Sequence, residues 1–209
     1  QVNNGNRTYQ TAAYVLTNDI DCKGVELEVI GNNPDNDKYF SGSFTSDYNP
    51  ETGENYRYSI SNFSINTEGT NYVGLFGAVF ADLSIQNSGL FYGITLENYE
   101  INASMYTSEA ETQTIACGSL VGYGVGTTMY LCGASNGTIN ISGDSGYFSY
   151  AGGLIGYQQG YYFTEYNESA PSEISYAQVD VDINVLSGLV LSAGGISGHL
   201  ATNYPFGAV

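Results

Sequence analysis

Asp19 with Asp21, and Asp180 with Asp182, are spaced i, i+2. On an extended strand that spacing puts two carboxylates on one face, with Cα atoms about 6.6–7 Å apart. At that separation one can serve as acid and the other as base in glycoside hydrolysis. Such pairs are also ordinary on the solvent face of a chain this acidic, and no further catalytic set supports them. His199 is the single histidine. H-E-x-x-H metallopeptidase chemistry is therefore excluded, and Ser-His-Asp or Cys-His schemes would hang on that one residue. The only cationic side chains besides it are Arg7, Lys23, Lys38 and Arg57, all in the first third, so the uronate neutralisation that polysaccharide lyases need is poorly supplied. The chain is expected not to be an enzyme.

Binding chemistry has better candidates. Asn32–Asp37 (NNPDND) crowds oxygen ligands into a short stretch, as a hard cation such as calcium requires. Asp35 and Asp37 would be its carboxylate ligands, although EF-hand spacing is absent and the same residue types form plain turns. Tyr157–Tyr166 (YQQGYYFTEY) concentrates aromatics. Tyrosines on a loop offer a flat apolar face and a hydroxyl to sugars or proteins, so Tyr161, Tyr162 and Tyr166 are the expected ligand contacts. Six N-x-S/T sequons begin at Asn6, Asn62, Asn102, Asn136, Asn140 and Asn167 and would permit glycosylation in a suitable host.

Charge narrows the partners. The 209 residues carry 4 Lys+Arg against 21 Asp+Glu, a net charge of −17. Nucleic acid is excluded as a partner, since its phosphates require Lys and Arg, and an anionic membrane surface is disfavoured. No apolar run approaches the ~18 residues of a membrane span. Cys22, Cys117 and Cys132 form neither a zinc pattern nor an even disulfide framework. Cys117 and Cys132 would either pair or remain buried thiols. The absence of a starting Met and of a basic-then-apolar leader fits a processed or excised segment.

These residues must be positioned by a repeat. Tyr72–Gly77 (YVGLFG), Ser119–Tyr123 (SLVGY), Gly153–Tyr157 (GLIGY) and Gly195–His199 (GISGH) share an apolar pair closed by glycine. The closing glycines 77, 122, 156 and 198 are 45, 34 and 42 residues apart, within the range of repeat architectures. Between them, Asp82–Ile85, Gly93–Ile101, Gly137–Ser142 and Ala177–Val185 alternate apolar with polar, as half-buried strands do. In the last, Val179, Val181, Ile183 and Val185 would face inward. No segment of ten or more residues has a helical period. Short strands, glycine corners and a long period predict an all-β single domain over 1–209, a β-solenoid with a β-sandwich as the alternative. At roughly 20–25 residues per rung, each repeat would supply two rungs and the chain about eight to ten.

The glycine-closed motifs resemble the GLUG repeat of bacterial surface proteins. Tyr14–Cys22 (YVLTNDIDC), Val29–Asn32 (VIGN), Phe40–Phe44 (FSGSF) and Tyr58–Ile65 (YSISNFSI) resemble the lead-in that precedes such repeats. The fourth copy departs, with Ile196-Ser197 for the apolar pair and His199 for tyrosine. The resemblance implies a right-handed β-helix, with lead-in rungs over 1–70, repeats over 71–200 and an edge or continuation over 201–209. It also implies an extracellular, cell-surface adhesive or structural module that binds a glycan or protein of a host or neighbouring cell without catalysis. Such segments also occur beside immunoglobulin A metalloprotease domains. A carbohydrate-binding or processing domain and a self-associating filament subunit are the competing expectations.

Overall fold

The computed structural model describes residues 2–32, 37–49, 51–53, 56–105, 114–143, 148–163, 168–170, 172–187 and 191–202. The protein is all-β, built from four sheets of parallel strands. Sheet I orders β1 (Ala13–Leu16), β3 (Ser43–Ser46), β7 (Leu90–Tyr92), β12 (Thr128–Tyr130) and β17 (Glu173–Ser175). Sheet II runs from β2 (Ile20–Glu26) through β4 (Tyr58–Glu68), then β8 (Ile94–Glu97) with β9 (Glu100–Met105), to β13 (Gly133–Gly143) and β18 (Gln178–Ser187). Sheet III holds β5 (Tyr72–Val73), β10 (Thr114–Gly118), β14 (Phe148–Gly152) and β19 (Leu191–Gly194). Sheet IV holds β6 (Phe76–Phe80), β11 (Val121–Val125), β15 (Ile155–Phe163) and β20 (Ser197–Thr202). The one antiparallel pairing among the described residues joins β15 to β16 (Glu168–Ala170).

Chain order and sheet membership together define a circuit. The chain passes from sheet I to II to III to IV and back to I, and each strand pairs with its counterpart from the previous passage. One repeat is therefore one circuit of four strands. The sequence predicts two rungs per repeat and eight to ten in all, but the sheets are only four or five rows deep among the described residues. The rung is longer than expected because each circuit turns four corners.

The four motif copies are in register. Phe76, Val121, Ile155 and Ser197 pair in turn across sheet IV. Ile30 adds a further row, since it pairs with Phe76 and sets Gly31 beside Gly77. The Ile-Gly of VIGN is thus an earlier copy of the apolar residue and closing glycine.

The closing glycines do not serve to reach left-handed backbone, because none of Gly77, Gly122, Gly156 and Gly198 has a positive φ. They are there because sheets III and IV meet backbone to backbone. A β-carbon on Gly122 would lie 2.5 Å from the Val73 nitrogen, and one on Gly198 2.6 Å from the Ala151 nitrogen. On Gly156 it would collide with the Cys117 nitrogen. Real side chains essentially never tolerate such contacts. Beside this seam the apolar pairs fill the interior: Leu75, Phe76, Leu120, Val121, Leu154 and Ile155 all belong to one buried cluster.

Sheet II supplies the rest of the core. Ile65, Ile101 and Ile139 are fully buried in one row, which Ile183 extends. Val179, Val181, Ile183 and Val185 pack on the core while Asp180, Asp182 and Asn184 are exposed. Sheet II bends where Asn62, Asn98 and Asn136 take left-handed φ of 59°, 51° and 50°, which asparagine tolerates better than most residues. Asp82–Ile85, expected as a strand, is instead a turn: the Asp82 carboxylate accepts hydrogen bonds from the Ser84 nitrogen and hydroxyl, an Asx-turn that competes with strand. At the other end a 3-10 turn (Val2–Asn4) and α1 (Arg7–Gln10) lie over the first circuit.

Two substitutions separate close approach from turn geometry. Gly122→Ala should cost about 1–3 kcal/mol through overpacking, whereas Gly195→Ala, which meets no atom within 4 Å, should be nearly neutral. Leu154→Ala should cost about 2–5 kcal/mol by leaving a cavity. Urea denaturation of the three variants checks all of this, and equal stability of the two glycine variants would contradict the seam.

Candidate binding surfaces

Because the strands of sheet II stack in register, each outward position becomes a row along the stacking direction. Asn66, Asn102, Asn140 and Asn184 form one such row. Each donates its side-chain amide to the one before: Asn102 to Asn66 at 2.9 Å, Asn140 to Asn102 at 2.8 Å and Asn184 to Asn140 at 2.9 Å. This ladder is structural, holding the circuits in register from outside. It also accounts for two sequons, because the Asn102 and Asn140 amides are already donated to it.

The other sequons occupy different positions. Asn6 caps α1 by accepting from the Thr8 nitrogen at 3.1 Å. Asn62 stands in a left-handed corner and donates to Asp21 at 2.9 Å. Asn136 stands in an equivalent corner, exposed. Asn167 lies outside the described residues.

The two carboxylate pairs differ in their surroundings. Asp19 accepts from the Ser59 nitrogen at 2.8 Å and from its hydroxyl. Asp21 accepts from Asn62 and from the Lys23 nitrogen, and these bonds hold its carboxyl below the usual range, with Asn62 contributing most. Both tie β2 to β4. Asp180 and Asp182 stand on the exposed face of β18 opposite Ser135 and Thr138. Of the expected calcium ligands, Asp35 lies outside the described residues. Asp37 is exposed with φ 57°, and its carbonyl accepts from the Gln10 amide. Among the described residues no group of three or more His, Cys, Asp or Glu is placed to hold a metal.

Two rows of aromatic side chains run along the stacking direction. Tyr123, Tyr157 and His199, the residues that follow the closing glycines, line up in sheet IV: Tyr123 meets Tyr157 edge-on at 5.3 Å, and Tyr157 stacks on His199 at 5.0 Å. Tyr150 packs edge-on against Tyr157 and also contacts His199. His199 therefore takes the place of a tyrosine in a packed row. A second row, on sheet I, escaped the sequence reading. Tyr92 and Tyr130 pair in register and stack at 5.1 Å, and Tyr176 meets Tyr130 edge-on at 5.1 Å. Tyr176 is 73% exposed and left-handed at φ 55°, a conformation that costs a non-glycine residue about 1–2 kcal/mol. The signal available in the sequence was three tyrosines at 38- and 46-residue intervals, close to the repeat period.

Tyr161 and Tyr162 are not on a loop. They continue β15 and pair antiparallel with Ala170 and Ser169 of β16, so the insertion begins as a hairpin. Tyr166 lies outside the described residues, as do residues 106–113 of the longest insertion.

Buried titratable groups serve packing. Cys22, Cys117 and Cys132 are all free thiols, with Cys117 and Cys132 unpaired and buried. Burial pushes Cys117 up to about 12 and Cys132 to about 11. Tyr99, stacked on Phe63 at 5.3 Å, is likewise raised to about 12 by burial, although its hydroxyl bonds Ser119. Ser119 in turn donates to the Gly153 carbonyl, so the serine of SLVGY joins two successive circuits inside the core. No family model, curated protein or solved structure matches this chain.

The raised values set an alkaline limit. These groups stay neutral when folded but ionise near 9–10 once exposed. Their contribution is complete below about pH 9 and declines as pH rises toward 11–12, because only the unfolded state releases the protons. Melting temperature should fall steadily above pH 9, with part of the phenolate absorbance appearing only on unfolding. Titration of every tyrosine before unfolding would contradict it.

Proposed function

We propose that this chain is a right-handed β-solenoid of GLUG-type repeats serving as a non-catalytic adhesive module at an extracellular cell surface. Parallel pairing of each strand with its counterpart one passage earlier supports the solenoid over a sandwich of antiparallel strands. The hydrogen bonds that commit Asp19 and Asp21 to Ser59 and Asn62, and the packing of His199 against Tyr157, give these groups structural work that fits a binding module. The observation that carries the reading is the Tyr92–Tyr130–Tyr176 row, ending in an exposed tyrosine held in a costly backbone conformation. Exposed aromatics of this kind provide contact area at low entropic cost to a glycan or protein of a host or neighbouring cell.

Glycan-array and cell-binding assays test this against two variants. Tyr176→Ala should weaken binding roughly tenfold, as loss of an aromatic anchor does, with little change in melting temperature. The Tyr161→Ala/Tyr162→Ala double variant tests the hairpin in the same assays. Unchanged binding by both would remove the aromatic surfaces from the proposal. Hydrolysis of any polysaccharide or peptide in a panel, lost in Asp180→Asn or Asp182→Asn, would replace it with the processing alternative.

A second reading, end-to-end self-association, is favoured by the last circuit. Among the described residues β18 has a strand neighbour on one side only, and Leu186 and Leu200 are 79% and 61% exposed. Parallel edges of this kind template pairing with another chain. Concentration-dependent sedimentation would support it.

A further inference from the structure

A cavity of about 520 Å³ opens at the first circuit, within the size range of small-molecule sites. The 3-10 turn and α1 form one side of it. Asn3 fixes that cap, donating to the Val29 carbonyl at 2.8 Å and accepting from the Gly31 nitrogen at 2.6 Å. Tyr9, Tyr14, Ile30 and Phe44 form the accessible walls, over a floor of Phe40 and Phe76. The Tyr14 hydroxyl donates to the Tyr9 carbonyl at 3.0 Å, so Tyr14 offers ring surface more than a polar group.

Among the described residues one charged group lines this aromatic chamber. Glu28 is exposed and has no hydrogen-bond or ion-pair partner among the described residues. Arg7, on the same cap, is committed to Asp82 and the Tyr39 ring. Aromatic walls with a single free carboxylate are the complement of an alkylated ammonium. The ring faces attract the diffuse positive charge, and the carboxylate neutralises it. The net charge of −17 also favours cations over anions at the mouth.

We propose that this cavity binds a small organic cation, an alkylated ammonium whose charge lies against Glu28 and whose apolar body fills the aromatic chamber. This inference is independent of the adhesive reading.

Choline and phenyltrimethylammonium, titrated by calorimetry and by two-dimensional amide NMR, are the probes. Their uncharged comparison is 3,3-dimethylbutan-1-ol, which has the shape of choline without the charge. Saturable binding on the order of 0.1–1 mM is expected for ligands this small, with shifts confined to the cap and first circuit. Glu28→Gln, an exposed and nearly isosteric change, should weaken the cations roughly fivefold while leaving the alcohol unaltered. Tyr9→Ala should weaken both. Equal affinity for choline and the alcohol, or insensitivity of choline to Glu28→Gln, would overturn the assignment of a cation. Absence of saturable binding by either cation to the parent protein would overturn the site.

Discussion

The contact on which this architecture depends is the approach of sheet III to sheet IV at the glycine row. Gly122 lies against the backbone of Tyr72 and Val73, Gly156 against that of Ala116 and Cys117, and Gly198 against Ala151. Each of these three glycines thus touches the sheet III strand one circuit earlier, so the seam links successive passages as well as two faces. Its absence of side chains lets the flanking apolar pairs turn to the same interior. A methyl group there would wedge the sheets apart and disturb every row. The repeat is therefore written in glycines because the geometry leaves no room for anything else.

With the seam set, the remaining interactions are consequences of stacking like on like. A row of isoleucines on sheet II becomes a continuous apolar column, and a row of asparagines becomes a hydrogen-bonded ladder. Stacking also puts like charges next to each other, which is costly in a chain of −17. The acids of sheet II are offset against neutral neighbours at the edge row: Asp180 pairs with Ser135 and Asp182 with Thr138. Asparagine suits the regular central row because its short amide carries both donor and acceptor and can bond its own copies without net charge.

Stacking likewise divides the aromatics. Tyr123 is shielded enough by Tyr72, Phe80 and Tyr157 that burial raises its phenol to about 12. It is a packing residue. Tyr176 sits at a corner position that Gly93 and Leu131 occupy in earlier circuits, all three with positive φ. Glycine takes that backbone freely, whereas leucine and tyrosine take it at a cost, so the corner geometry is kept through three circuits whatever residue fills it.

Strand class, the alternation in Val179–Val185 and the burial of the six motif residues were legible in the sequence, since period-2 patterning and apolar pairs state directly which side faces inward. The apolar–glycine repeat was legible too, but not its reason, because glycine for a turn and glycine for close approach are written with the same letter. What the tertiary structure alone decided was which distant residues share a row. Ile30 beside Phe76, Asn66 beside Asn102 and Tyr92 beside Tyr130 are each separated by 36 to 46 residues. Insertions of unequal length between circuits hide that register in the sequence. The cavity at Glu28 belongs to the same category: its walls come from residues 2 to 76, joined only when the cap closes over the first circuit.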